Sequence, residues 1–212
     1  MPGMNNKISE RREKIAPGEL AFDIDGVFAD TFRVFVKTAG AYGVSVEYED
    51  ITEYNFREVI DIDEETSNDI IRKILDNPLA MGIPPVTGAV EVLTRLSQLG
   101  PLLFVTARPE KESILKWVEE TLRPVDTGII RLEATCTHQE KLPVLLEYGI
   151  RYFVEDRLDT CYLLEKTPIT PIVFEQPWNR KPHPFQTVRN WSEIEALIQW
   201  QVEEKHGKDL TT

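Results

Sequence analysis

The chain has 212 residues, 42% of them hydrophobic, and a formal net charge of −12 at pH 7. That is enough for one large domain, or one domain with an insertion, around an ordinary apolar core. The acidic balance argues against a nucleic-acid or anionic-membrane surface, and no run of 18 apolar residues is present to span a bilayer.

Residues 1–18 are polar, lack the apolar segment of a secretory signal, and read as an arm outside the core, so a cytoplasmic protein is expected. Leu20-Ala21-Phe22 opens an apolar stretch that reads as a buried parallel strand. It runs out at Asp23 and Asp25, which alternation puts on one side, and Gly26 permits a sharp turn. Thr31 to Tyr42 reads as a helix stopped by Gly43, and Asp63 to Leu75 as a second. Between them Tyr48, Tyr54 and Phe56 are scattered among acids. Gly88 to Leu99 is a third helix, and Leu102 to Val105 is a strand ending at Thr106. Pro109 suits the first turn of a helix through Leu122, followed by a short strand from Ile129 to Leu132. Gln139 to Tyr148 is a helix carrying Lys141. The strand Tyr152-Phe153-Val154 runs into Glu155-Asp156, with Asp159 three residues on. Leu158 to Lys166 is helical, and Ile172 to Phe174 is a fifth strand. Ser192-Glu193-Ile194-Glu195 reads as a capping box before a final helix to about residue 205.

Strands alternating with helices predict an α/β fold, a Rossmann-like doubly wound parallel sheet. One interval is too long. Asp25 and Thr106 are 81 residues apart, whereas a simple βαβ unit needs about 30. Residues 30–84 therefore read as a helical cap inserted after the first strand, above the paired acids, with residues 19–29 and 85–212 forming the core domain. Cys136 and Cys161 match no zinc or redox spacing and read as reduced thiols.

Ligands of open α/β sheets bind at the carboxyl ends of the strands, where Asp23, Asp25, Thr106, Glu155 and Asp156 all fall. Taken singly, each has an ordinary explanation: a Thr capping a helix, a solvated Lys, loop acids. Two acids held together repel unless a cation lies between them, and oxygen-only ligands favour Mg²⁺.

In this order the residues resemble the haloacid-dehalogenase (HAD) superfamily of phosphohydrolases. Asp23-Ile24-Asp25-Gly26-Val27 is similar to its first motif, Thr106 to its second, Lys141 to its third, and Glu155-Asp156 with Asp159 to its fourth. Within it, Asp23 to Asp30 and Gln176-Pro177-Trp178-Asn179-Arg180 look like the 5′(3′)-deoxyribonucleotidases and related nucleotidases. Many members have Asp-Asp where this chain has Glu155-Asp156. The resemblance implies an aspartyl-phosphate formed on Asp23, with Asp25 as general acid and then base. It further implies that Thr106 and Lys141 bind the phosphate. Asp23, Asp156 and the backbone carbonyl of Asp25 would hold Mg²⁺, with Glu155 and Asp159 behind them.

The expected partner is a small phosphorylated substrate, foremost a nucleoside monophosphate, and a homodimer is compatible with the sequence. A phosphatase for sugar or other metabolite phosphates is the alternative. A phosphoacceptor signalling domain fits less well, because its acceptor Asp lies on a mid-chain strand and it has no room for the insertion. A non-catalytic binding protein is disfavoured because every motif residue is kept. Arg180, Lys181 and His183 form a basic cluster that reads either as help for an anionic substrate or as a solvated loop. Tyr54 and Phe56 read either as stacking partners for a base or as packing inside the cap.

Overall fold

A computed structural model describes residues 14–201. Six strands form one parallel sheet in the order β3-β2-β1-β4-β5-β6. They are β1 (Leu20–Phe22), β2 (Leu102–Thr106), β3 (Ile130–Ala134), β4 (Tyr152–Glu155), β5 (Thr170–Phe174) and β6 (Gln186–Val188). The chain winds outward from β1 to β3 on one side, returns, and winds outward from β4 to β6 on the other. This is the doubly wound α/β arrangement expected from the sequence, and its switch point lies beside β1.

The period-2 geometry of the central strands separates two apolar layers. Leu20, Phe22, Phe104 and Val154 face the larger one, with residues of α3 (Ala89–Leu96), α4 (Glu112–Thr121) and α7 (Trp191–Leu197). Ala21, Leu103, Val105 and Phe153 face the smaller one, under Leu145 of α5 (Lys141–Glu147) and Leu164 of α6 (Leu158–Leu164). Burial on both faces explains why β1 and β2 are apolar without alternation.

Residues 30–84 fold as α1 (Thr31–Ala41), two short 3₁₀ turns, and α2 (Glu64–Asp76), which Asp63 caps by accepting from the Thr66 amide at 2.8 Å. Their two ends meet where the Asp30 amide donates to the Pro84 carbonyl at 2.9 Å. Val34 and Phe35 of α1 and Ile70 and Ile74 of α2 join the larger apolar layer.

The structure corrects five expectations. The N-cap of α7 is Asn190, whose Oδ1 accepts from the Glu193 amide at 3.0 Å, and Ser192 only donates to that same oxygen. That helix stops at Leu197 because Ile198 is extended and pairs with Ile15; the expected residues from 202 onward lie outside the described part. Ile15 is buried, so the chain joins the core before residue 19. Pro109 precedes α4, which begins at Glu112, and β6 was not expected at all. Cys136 and Cys161 are both free thiols. Among the described residues no helix is long and apolar enough to cross a membrane.

Candidate active site

The site lies at the carboxyl ends of β2, β1 and β4. Asp23 follows β1 directly, held where its amide donates to the Val154 carbonyl at 2.9 Å. The chain then turns through Gly26 at φ 77°, a left-handed conformation that favours glycine. Space demands glycine there as well: a Cβ on Gly26 would stand 2.1 Å from Asp156 Oδ2.

Asp23, Glu155 and Asp156 are buried, with carboxylate oxygens within 4.8 Å of one another. Lys141, 2% exposed, reaches between them, its Nζ 2.9 Å from Asp23 Oδ2 and 2.9 Å from Glu155 Oε2. Burial alone would draw the Lys141 ammonium down, but Asp23 and Glu155 outweigh it and hold it above the ordinary lysine range. Burial pushes Asp23 and Asp156 well up, and the charge of Glu155 adds to this. Glu155 is held low because Lys141 overcomes the cost of its burial.

Asp25 has a different setting. Arg108, 3% exposed, grips its carboxylate with a two-pronged fork, Nε to Oδ2 at 2.8 Å and Nη2 to Oδ1 at 2.7 Å. Thr31 Oγ1 donates to Oδ1 at 2.5 Å. Burial would raise Asp25, and Arg108 more than reverses this, leaving it below its usual range. The same guanidinium reaches the Leu75 carbonyl at the end of α2 at 3.5 Å, and Ser113 Oγ donates there at 3.0 Å.

Counted as fully ionised, four carboxylates face two cations, a formal excess of two negative charges that the raised Asp23 and Asp156 reflect. One atom shows where a cation fits: Asp156 Oδ1 is buried and has no hydrogen-bond partner. An all-oxygen donor set with a charge deficit of two suits a hard divalent ion.

Asp23, Asp25, Glu155, Thr106 and Lys141 open on a cavity of about 260 Å³, walled on the other side by Phe32, Phe35, Phe56, Ile71, Ile74 and Leu75 of residues 30–84; Asp156 lies behind the other acids and does not line it. Phe56 is also part of that segment's packing, its ring 4.4 Å from that of Phe35 between centroids. Tyr54 lines the same cavity and is 38% exposed, with the Arg157 guanidinium 4.4 Å above its ring.

Residues 18–205 match the sequence model of the 5′ nucleotidase, deoxy (pyrimidine), cytosolic type C proteins. The chain belongs to this nucleotidase family. A nucleotidase of Clostridium acetobutylicum is 25% identical over 186 residues, covering 84% of this chain and 92% of that protein. The fold is shared with a haloacid dehalogenase-like hydrolase of Streptococcus pneumoniae, at TM-score 0.54 and 14% identity over 87% of this chain and 98% of that one. It is shared also with a HAD hydrolase of Bacillus subtilis described as bound to magnesium, at TM-score 0.56 and 11% identity over 88% and 99%. The nucleotidase is therefore a phosphomonoester hydrolase, with the fold of these haloacid dehalogenase-like hydrolases.

In this nucleotidase, Asp23, Asp25, Thr106, Lys141, Glu155 and Asp156 converge as the sequence order implied. Asp159 does not join them. Its side chain is 68% exposed and accepts from Arg157 at 3.0 Å, because the start of α6 turns it toward solvent. The basic cluster is not a free anion site. Arg180 pairs with Glu49 at 2.5 Å and Lys181 with Glu53 at 2.5 Å, tying the loop after β5 to the inserted segment. His183 stacks near Phe185 and does not line the cavity. Sequence reasoning missed Arg108 and Thr31, and read Gln176 to Arg180 only as a resemblance. An Arg two residues after Thr106, at a strand end among acids, was the available signal.

Proposed function

We propose that this nucleotidase hydrolyses nucleoside monophosphates with the help of Mg²⁺, through an aspartyl-phosphate on Asp23, beneath a cap formed by residues 30–84. The observation that carries the reading is the cluster of Asp23, Asp25, Glu155 and Asp156 around Lys141 and Arg108, formally short of two positive charges, most of it lining one cavity.

Asp23, Asp156 and the Asp25 carbonyl would hold the ion. When bound, it supplies positive charge against the oxygens of the phosphoryl group. An Asp23 oxygen attacks phosphorus, the ester P–O bond breaks, and Asp25 gives its proton to the leaving oxygen. Lys141 and the Thr106 hydroxyl stabilise the charge on the transferring group. An incoming phosphate competes with Asp25 for the Arg108 fork, which frees the carboxyl to carry that proton. Water then attacks the aspartyl-phosphate, its proton passes to Asp25, phosphate leaves, and Asp23 is restored.

The family match and the relative named a nucleotidase favour a nucleotide substrate. The apolar, aromatic wall opposite the acids suits a nucleobase better than a polyhydroxylated sugar. The test is steady-state hydrolysis of ribo- and deoxynucleoside monophosphates beside sugar phosphates, in chelator and with Mg²⁺ restored. Nucleotides should be hydrolysed fastest, and activity should vanish in chelator and return with Mg²⁺. Full activity in metal-free buffer would sink the metal assignment, and faster turnover of sugar phosphates would sink the nucleotide assignment.

A further inference from the structure

The turn that follows β5 is built to face the acids. Gln176 and Asn179 cap each other: the Gln176 amide donates to Asn179 Oδ1 at 2.9 Å, and the Asn179 amide to the Gln176 carbonyl at 3.1 Å. Pro177–Asn179 forms one 3₁₀ turn, buried throughout. With the turn closed on itself, its side-chain donors point back at the site. Gln176 Nε2 donates to the Gly26 carbonyl at 2.6 Å, and Asn179 Nδ2 donates to the Asp156 carbonyl at 2.8 Å. Trp178 Nε1 donates to Asp156 Oδ2 at 3.1 Å. The chain has four tryptophans. Trp117, Trp191 and Trp200 donate to the backbone carbonyls of Ile83, Val27 and Glu195; Trp178 alone donates to a carboxylate.

Asp156 is therefore wedged. The Trp178 indole holds Oδ2, and Gly26 runs so close to the same oxygen that no side chain fits between them. Rotation about the last torsion of an Asp is soft, so without such a hold the two oxygens would exchange places. Held as it is, Oδ2 is satisfied and Oδ1 is left buried and bare.

We propose that Trp178 is a positioning residue for the metal: its indole N–H fixes the Asp156 carboxylate so that Oδ1 is the oxygen presented to the divalent cation. The inference rests on the magnesium reading above and assigns a role to a motif that reading does not use. Loss of a group that orients a metal ligand typically weakens metal binding about 10–100-fold.

The experiment titrates Mg²⁺ calorimetrically into the full chain, stripped with chelator, as wild type and as Trp178→Phe. Phenylalanine keeps a ring against Phe32, whose centroid is 4.3 Å from that of Trp178, and removes only the N–H end of the contact. The Kd for Mg²⁺ should rise about 10–100-fold, while KM for nucleotide at saturating Mg²⁺ holds. A second measurement needs no variant: in ¹⁵N-tryptophan-labelled wild type, the Trp178 indole resonance should move with Mg²⁺ at the calorimetric midpoint, while those of Trp117 and Trp200 stay. Equal Mg²⁺ affinity in Trp178→Phe, or an unmoved Trp178 resonance at saturating Mg²⁺, overturns the role of Trp178 and leaves the magnesium reading standing. A wild type that binds no Mg²⁺ overturns both.

Discussion

Removing the Arg108 fork should destabilise the fold by an amount that the burial of the pair sets. Arg108→Met keeps most of the apolar stem and deletes the charge, leaving Asp25 without its main partner. Breaking a fully buried ion pair costs about 3–5 kcal/mol, because the remaining charge is stranded. Arg108 is 3% exposed but the Asp25 side chain is 23% exposed, so the low end, about 3 kcal/mol, applies. For a chain of this length each kcal/mol lowers Tm by about 2–4 °C, which gives a drop of about 6–12 °C. Arg108→Lys keeps the charge without the two-pronged geometry and should fall between. The assay is thermal unfolding by circular dichroism in chelator buffer at a series of pH values. The sign with pH is fixed. Burial raises Asp25, but Arg108 outweighs it and depresses the folded value. A depressed carboxylate adds stability that is present above its unfolded pKa and lost as pH falls through the folded one. The gap between wild type and Arg108→Met should therefore be widest near neutral pH and narrow in acid. A variant that melts with the wild type at pH 7 would refute the reasoning.

Other substitutions separate the remaining roles. Asp23→Asn should abolish turnover of every phosphate ester. Asp25→Asn should be nearly inactive on nucleotides, yet release a burst of nitrophenolate near one per site from p-nitrophenyl phosphate, with the phosphoryl group trapped on Asp23; rapid steady turnover without a burst would refute its role. Tyr54→Ala should raise KM for nucleotides more than for p-nitrophenyl phosphate. Phe56→Ala, by contrast, should show itself in melting, with a loss of about 3–5 kcal/mol from the packing against Phe35. Gly26→Ala should lower both Tm and activity, since its Cβ would collide with Asp156 Oδ2 in a left-handed backbone; an unchanged variant would show that the turn has slack.

The parts of this protein that could be read from sequence are those encoded locally. An apolar run ending in Asp23, Thr106 or Glu155-Asp156 states both a strand and the polar group at its tip. Because β2, β1 and β4 are adjacent and parallel, those tips converge without further instruction. Arg108 was hidden because its partner lies 83 residues away, and an Arg just after a strand is ordinarily solvated. The strand β6 is three residues long and mostly polar, and its identity comes from pairing Phe174 with Val188 rather than from its composition. The start of α7 offered two caps within three residues. Burial of Trp191 against the sheet selects Asn190 over Ser192. Asp159 was assigned through the resemblance to the family's fourth motif, but the first turn of α6 points it away from the cluster.

The formal charge excess of the acid cluster bears on folding as well as on chemistry. A cation that binds only the native chain stabilises it by about 2.7 kcal/mol at one hundred times its Kd. The metal-free chain must instead bring Asp23, Glu155 and Asp156 together around Lys141 alone, and burial with their mutual repulsion pushes Asp23 and Asp156 toward protonation. Neutralising one of them, as in Asp156→Asn, removes that repulsion and the cation's foothold in one step. On the proposed metal assignment, selection for heat resistance in chelator would favour chains that have given up the site, setting thermostability against catalysis at this one residue.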